Sequence, residues 1–469
     1  MYYEAVVITY ERRIYLAEIN YSEITPIIET LSDRAKNADY IDNELYKQYD
    51  VKRGLRDLNG KGVLAGLSHI SEVRGTKVEN GVVVPDYGKL LYRGYDVKDL
   101  VGGVTAEQRF GYEEVAYLLL FGELPTSEEL AEFSSQLLEY RCLPTGFVRD
   151  FIMKAPPTDI MNTISRSVLT LYAYDDNPND TSLPNVTRQC MELISRFPML
   201  AVYGYFCKRH ELTGESLFII PPLENGSFAE NLLHILRPDG NYTELEARVL
   251  DACLLLHMEH GGGNNSTFTT HVVSSSMTDT YAVMAAALGS LKGPRHGGAN
   301  IKVTQMFEDM KANVNDWNDE DEISEYLRKL LRREAFDRSG LIYGVGHAVY
   351  SKSDPRAEIL KLYTEKLALA EGFEEEYALY RNAAKLAPEI IASERKMYKG
   401  APLNVDYYSG FVYKMLGLPD ELYTPLFAMA RIVGWSAHRL EELSNSSKII
   451  RPAYKGIEPE HDYKPLKIR

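Results

Sequence analysis

From Val97 onward the chain reads as one amphipathic helix after another, with no strands set between them. That property narrows the fold more than any other, because a parallel α/β sheet needs strands alternating with helices. Tyr112, Val115, Ala116, Leu119 and Leu120 share one helical face, and the run stops at Gly122-Glu123-Leu124-Pro125. Thr105 and Ser127 are expected to cap the helices that follow them. Further helical units are expected over 160–174, 186–197, 200–208, 228–236 and 244–258. β-Structure is confined to the region after Gly62, where β-branched runs flank an Asn80-Gly81 turn and a second turn near Asp86-Tyr87-Gly88. No repeat of fixed period runs through the chain. The expected fold is all-α, with minor β hairpins near the N-terminus.

A chain of 469 residues has room for more than one domain. Residues 1–23 read as a short strand-forming appendage with no assigned role, and 24–49 as polar helix. Residues 313–336 are highly charged, as in a solvated helix pair, and apolar small-residue character returns near Tyr413. The expected division is a large helical domain over 24–299 and 413–469, with a small helical domain over 300–412. Two chain crossings between lobes make a hinge around a cleft.

The formal net charge is −15, so there is no basic excess to bind nucleic acid. An anionic ligand would need arginines gathered locally against that field. Cys142, Cys190, Cys207 and Cys253 are widely spaced and fit buried thiols of a reducing compartment. The first residues mix acids and bases and lack the apolar core of a signal peptide, and no apolar run reaches membrane-spanning length. A cytoplasmic protein with no membrane or nucleic-acid partner is expected.

The chemistry concentrates between His257 and Asn300, which holds His257, His260, His271 and His296. His260 and His296 abut the glycine runs 261–263 and 297–298. Glycines beside a histidine let a ligand approach its ring, and the intervening small residues suit a rigid packed helix. Three more segments join them: Gly344-Val345-Gly346-His347 with Arg356 beyond it, Asn404-Val405-Asp406-Tyr407-Tyr408, and Arg431 on an apolar helix with Arg451 about twenty residues on. No acid lies within one helical turn of Arg431, so its charge calls for a carboxylate or phosphate ligand. Arginine forks suit a dicarboxylate, imidazoles suit carbonyl oxygens that gain charge, and one carboxylate suits proton abstraction. Together they describe an enolate adding to a keto-diacid.

The segments MEHGGGNNSTFTTH, GPRHGGAN, GVGHAVYSKSDPR, NVDYYSG and ARIVGWSAHRLEE, with GKLLYRGYDV and YEEVAYLLLFGELPT before them, resemble the citrate synthase family in order and spacing from about residue 24 to the C-terminus. The resemblance implies an acyltransferase with a two-domain, all-α fold that condenses acetyl-CoA with oxaloacetate and hydrolyses citryl-CoA. It implies that Asp406 is the base, that His296 hydrogen-bonds the thioester oxygen, and that His347 polarises the keto carbonyl and acts as acid. His260, Arg356, Arg431 and Arg451 would hold oxaloacetate. Arg451 would come from the neighbouring subunit of a homodimer. No metal and no cofactor are implied, since the coenzyme A thioester is a substrate. Two departures stand out: Gly261 where the family usually has an acid, and Ser351 where members often have a basic residue. Lys352 and Lys399 are then the candidate CoA contacts. The rival within the family is 2-methylcitrate synthase, using propionyl-CoA; a catalytically inactive structural homologue is weaker, since every expected catalytic side chain is present. A rival of another class is a metal-binding protein built on His257 and His260, three apart on a helix.

Overall fold

The computed structural model describes residues 22–57, 61–395, 400–445 and 448–468. Residues 1–21 of the expected appendage lie outside the described residues, as does Lys399. The chain divides into two compact units at Gly66/Leu67. In the first, α1 (Pro26–Ala38) and α2 (Asn43–Gln48) bury none of their residues, as their polar sequence implies.

The second unit opens with β1 (Ser71–Glu79), β2 (Val82–Tyr92) and β3 (Tyr95–Asp96), an antiparallel sheet in the order β1-β2-β3. Asn80 and Gly81, with φ of 52° and 79°, make the expected turn. The second expected turn is absent, because 86–88 lies inside β2. Gly88 answers to a close approach instead: a Cβ there would stand 2.1 Å from the Ser353 carbonyl oxygen. The sheet therefore packs directly on the loop that follows His347.

The described remainder is helical: α3 (Val97–Ala106), α4 (Tyr112–Phe121), α5 (Ser127–Glu139), α6 (Ile160–Leu171), α7 (Leu183–Thr213), α8 (Phe228–Leu236), α9 (Glu244–His257), α10 (Asn265–Ser274), α11 (Thr280–Lys292), α12 (Ala299–Asn313), α13 (Glu320–Leu331), α14 (Pro355–Glu371), α15 (Glu374–Arg395), α16 (Asp406–Met415) and α17 (Tyr423–Ser444). α17 is the central element and packs on α4, α7, α9, α10 and α11. Its buried Ala428, Ala430, Gly434, Ser436 and Ala437 keep it narrow enough for neighbours on several sides.

Several local expectations need correction. The units 186–197 and 200–208 are one helix, α7, which runs through Pro198. An interior proline costs about 3 kcal/mol, and burial along the helix from Val186 to Cys207 outweighs it. Thr105 does not cap α4; it lies within α3 and donates to the Val101 carbonyl at 2.6 Å. The first N–H groups of the α4 end, from Gly111 and Tyr112, donate instead to the buried Asp251 carboxylate at 2.7 and 3.1 Å. The cap of α5 is Thr126, one residue before Ser127, in a reciprocal box with Glu129. The charged run 313–336 gives a single helix, α13, which buries Ile323, Tyr326, Leu327 and Leu330. All four cysteines are free, and three of them are buried. Among the described residues no helix is long and apolar enough to cross a membrane.

Candidate active site

Strands β1 and β2 hold the turn that follows α9. The Tyr92 hydroxyl donates to the Glu259 carbonyl oxygen at 3.0 Å, and the Gly261 N–H donates to the Ser71 hydroxyl at 3.1 Å. Between these anchors sits His260, whose Nε2 is buried with no hydrogen-bond partner. Burial, with Arg356 next in effect, holds this imidazole well below its ordinary pKa, so it is neutral. Its ring stands edge-on to those of His347 and Tyr350, at 5.1 and 5.6 Å between centroids. His257, one turn earlier, faces the Cys253 carbonyl with Nδ1 at 2.6 Å, and burial lowers its pKa to about 3.

His296 precedes α12. Its Nε2 lies 2.9 Å from the Ser266 hydroxyl and accepts the Ser266 N–H at 3.3 Å. The Trp435 indole N–H donates to that same hydroxyl at 3.1 Å. Nε2 is thus an acceptor, which puts the proton of the neutral ring on Nδ1. Burial lowers the pKa to about 4. Gly297 has a packing reason that its sequence did not reveal: a Cβ there would lie 2.3 Å from the Leu291 carbonyl oxygen. The run of small residues behind it forms two helices, α10 and α11, rather than one.

His347 has the opposite tautomer. Its Nδ1 accepts the N–H groups of Val349 and Tyr350 at 3.0 and 3.1 Å, leaving the proton on Nε2. Its ring stacks on Tyr350 at 4.4 Å, and burial lowers its pKa to about 4. The loop carrying His347 is stitched to the one leading into Asp406. Gly346 N–H donates to the Pro402 carbonyl at 2.7 Å, and Asn404 donates to Gly344 and Gly346 carbonyls at 2.9 and 3.0 Å. Asp406 begins α16 and keeps partial exposure. Enclosure by the surrounding protein raises its pKa to about 6, against the opposing pull of Arg356 and Arg431.

The arginines differ in their commitments. Arg356 is buried and grips Asp354 with two nitrogens, Nε to Oδ1 at 3.0 Å and Nη2 to Oδ2 at 2.8 Å. Burial alone would lower its pKa, but Asp354 outweighs that and holds it above its ordinary value. Arg431 is buried on α17, donates Nε–H to the His257 carbonyl at 2.8 Å and lies 4.7 Å over the Phe427 ring. Among the described residues no carboxylate is within ion-pair distance of it, which leaves its outer nitrogens for a ligand. Arg451 is exposed in the segment after α17. Lys352 is exposed, with its ammonium 5.3 Å over the Tyr87 ring.

The structure thus sets Arg356 and Arg431 within electrostatic range of both His260 and Asp406, and Arg356 within range of His347 too, with His296 facing the Phe427 ring that Arg431 covers. It does not bring Arg451 to them within the chain. Among the described residues His257 and His260 do not converge as metal ligands. Sequence reasoning missed Ser266, Trp435, Tyr350 and Asp354, although all four stand inside the motif segments. Only their positions in space reveal what they hold.

The family model for the citrate synthase C-terminal domain matches residues 57–453. A 2-methylcitrate synthase of Shewanella oneidensis is 34% identical over 79% of this chain and 89% of its own. A citrate synthase of Synechocystis is also 34% identical, over 88% and 90%. Among solved structures, the citrate synthase of Thermoplasma acidophilum in ternary complex with carboxymethyl coenzyme A and oxaloacetate is 25% identical and superposes with a TM-score of 0.71, covering 89% of this chain and 99% of that one.

Proposed function

The chain belongs to the citrate synthase family, and from that premise we propose that this acyltransferase condenses acetyl-CoA with oxaloacetate through the residues assembled above. The observation that carries the proposal is the pair of neutral imidazoles pinned in opposite tautomers, His296 with Nδ1–H and His347 with Nε2–H, beside a carboxylate made basic by its surroundings.

Asp406 takes a proton from the methyl group of acetyl-CoA. The electron pair moves onto the thioester oxygen, where the His296 Nδ1–H meets the developing charge; such a donor contributes about 3–4 kcal/mol. The enolate carbon attacks the keto carbon of oxaloacetate, and the keto oxygen takes the His347 Nε2 proton as the new C–C bond forms. Water then cleaves the C–S bond of citryl-CoA, giving citrate and the CoA thiol. An Asp with a pKa near 6 is a stronger base than an exposed one near 3.9.

Arg431 and Arg356 pair with the oxaloacetate carboxylates, and His260 donates or accepts at its orphaned Nε2. Arg451 completes the site from a second copy of the chain, so the working enzyme is a homodimer. Residues 300–412 move as a smaller lobe carrying His347, Arg356 and Asp406, and closure expels water before the proton transfer. Lys352 is the proposed phosphate contact for CoA. The free cysteines fit a cytoplasmic enzyme.

The similarity to a 2-methylcitrate synthase favours one second reading, propionyl-CoA as the preferred donor. One methylene changes binding by about 1–3 kcal/mol, so the preference is a matter of pocket fit rather than of catalytic residues. Measuring kcat/KM for acetyl-CoA and propionyl-CoA at saturating oxaloacetate separates the two. A higher value with acetyl-CoA supports the proposal, and a higher value with propionyl-CoA replaces citrate with 2-methylcitrate as the product.

A further inference from the structure

A second histidine pair, outside the catalytic set proposed above, lies beside the His260 turn. His271 on α10 and His438 on α17 face each other, with His271 Nε2 3.0 Å from His438 Nδ1. Each outer nitrogen is held by a carboxylate. His438 Nε2 is 3.2 Å from Glu259 Oε1, and His271 Nδ1 is 2.7 Å from Glu442 Oε2. The two inner nitrogens face each other at hydrogen-bonding distance, where either a proton or a cation can lie between them.

A third donor stands at the same point. Glu441 Oε2 lies 3.6 Å from His438 Nδ1 and is buried with no hydrogen-bond partner. The Glu441 carboxylate is fixed from behind, since Oε1 accepts the His69 N–H at 2.6 Å. We propose that His271 Nε2, His438 Nδ1 and Glu441 Oε2 form a three-ligand site for a divalent transition-metal ion of the zinc class.

Three features support the site. The ligand atoms lie within 4.8 Å of one another, and ligand bonds of about 2.0–2.2 Å can span that space. Every ligand has its far side anchored, by Glu259, Glu442 or the His69 N–H, which is how outer partners orient ligands and raise their basicity. Gly262 lies over the pair, where a Cβ would sit 3.5 Å from His271 Nε2 and from His438 Cε1. Entry is possible because the His271 and Glu441 side chains keep 14% and 10% exposure. An ion there ties α10 to α17 and fixes Glu259, the residue before His260. It supplies no group to the reaction itself.

The test uses the full chain after chelator treatment and dialysis, titrated with Zn2+ by calorimetry and with Co2+ by visible absorption. The expected result is one ion per chain, Co2+ bands of nitrogen and oxygen ligation, and a raised melting temperature. H271N and E441Q each abolish that equivalent, and E442Q, at the outer partner of His271, weakens it roughly 10–100-fold. Far-UV circular dichroism checks that each variant folds; should H271N fail, E441Q decides. No stoichiometric binding, or equal affinity in folded H271N or E441Q, overturns the proposal.

Discussion

The Ser266 N–H donates to His296 Nε2 at 3.3 Å, and this contact selects the Nδ1–H tautomer of the ring. The Trp435 indole holds the Ser266 hydroxyl beside the same nitrogen. Replacing His296 by Gln removes the proposed oxyanion donor and is expected to lower kcat by roughly 100–1,000-fold. Ser266→Ala keeps the N–H contact but loses the hydroxyl, and a loss of about 1 kcal/mol, near fivefold to tenfold in kcat, is expected. Calorimetric binding of oxaloacetate is expected to be unchanged in both. Weakened oxaloacetate binding would place His296 with that substrate instead.

Asp406 links activity and stability to pH with opposite signs. Its pKa of about 6 lies above the unfolded value, so the folded state favours the protonated form. The associated stability is fully present below pH 4 and is lost as pH rises through 6. In the proposed mechanism activity needs the carboxylate, so kcat/KM is expected to rise with pH through about 6. Asp406→Asn is expected to abolish turnover and yet to raise the melting temperature at pH 8, by the equivalent of roughly 1–3 kcal/mol, with no gain at pH 4. Thermal scans of the two proteins at the two pH values check the sign. A less stable variant at pH 8 would contradict it.

Asp354 is the internal counterion of Arg356, with both oxygens engaged. Removing it leaves a buried guanidinium without its partner. Asp354→Ala is expected to cost about 3–5 kcal/mol in urea unfolding and to raise the KM for oxaloacetate. Arg356→Met, which removes the charge rather than stranding it, is expected to destabilise less while losing more oxaloacetate affinity. The reverse ranking in stability would mean that the pair does not carry the charge balance.

Arg451 offers a test of shared sites that needs no dimer structure. Asp406→Asn and Arg451→Ala homodimers are each expected to be inactive. Mixed after partial dissociation, or coexpressed, they form hybrids in which one site draws Asp406 and Arg451 from two intact sources, and roughly a quarter of full activity is expected to return. No recovery from hybrids isolated by dual tags would place Arg451 outside the site.

Much of this was legible in the sequence, for identifiable reasons. Helical periodicity marked most elements because their buried faces are long, and Asn80-Gly81 marked its turn because few residues adopt its backbone. The fold breaks expectation where a distant group supplies what a local rule assigns to a neighbour. Asp251 caps α4 from another helix, and the Ser353 carbonyl explains Gly88. Pro198 reads as a stop, yet α7 passes through it because both sides are buried. At the candidate site, His260, His296, His347 and Asp406 stand out in the sequence through their flanking residues. Ser266, Trp435 and Tyr350 did not, since a hydroxyl or ring that fixes a tautomer has no sequence spacing of its own.

The most direct measurement is CoA-thiol release from acetyl-CoA with and without oxaloacetate, in the wild type and in Asp406→Asn, with oxaloacetate binding measured on the same samples. Release by the wild type that depends on oxaloacetate, with no release but intact binding in Asp406→Asn, is the expected result. Release that ignores oxaloacetate, or that persists in Asp406→Asn, would contradict condensation through this carboxylate.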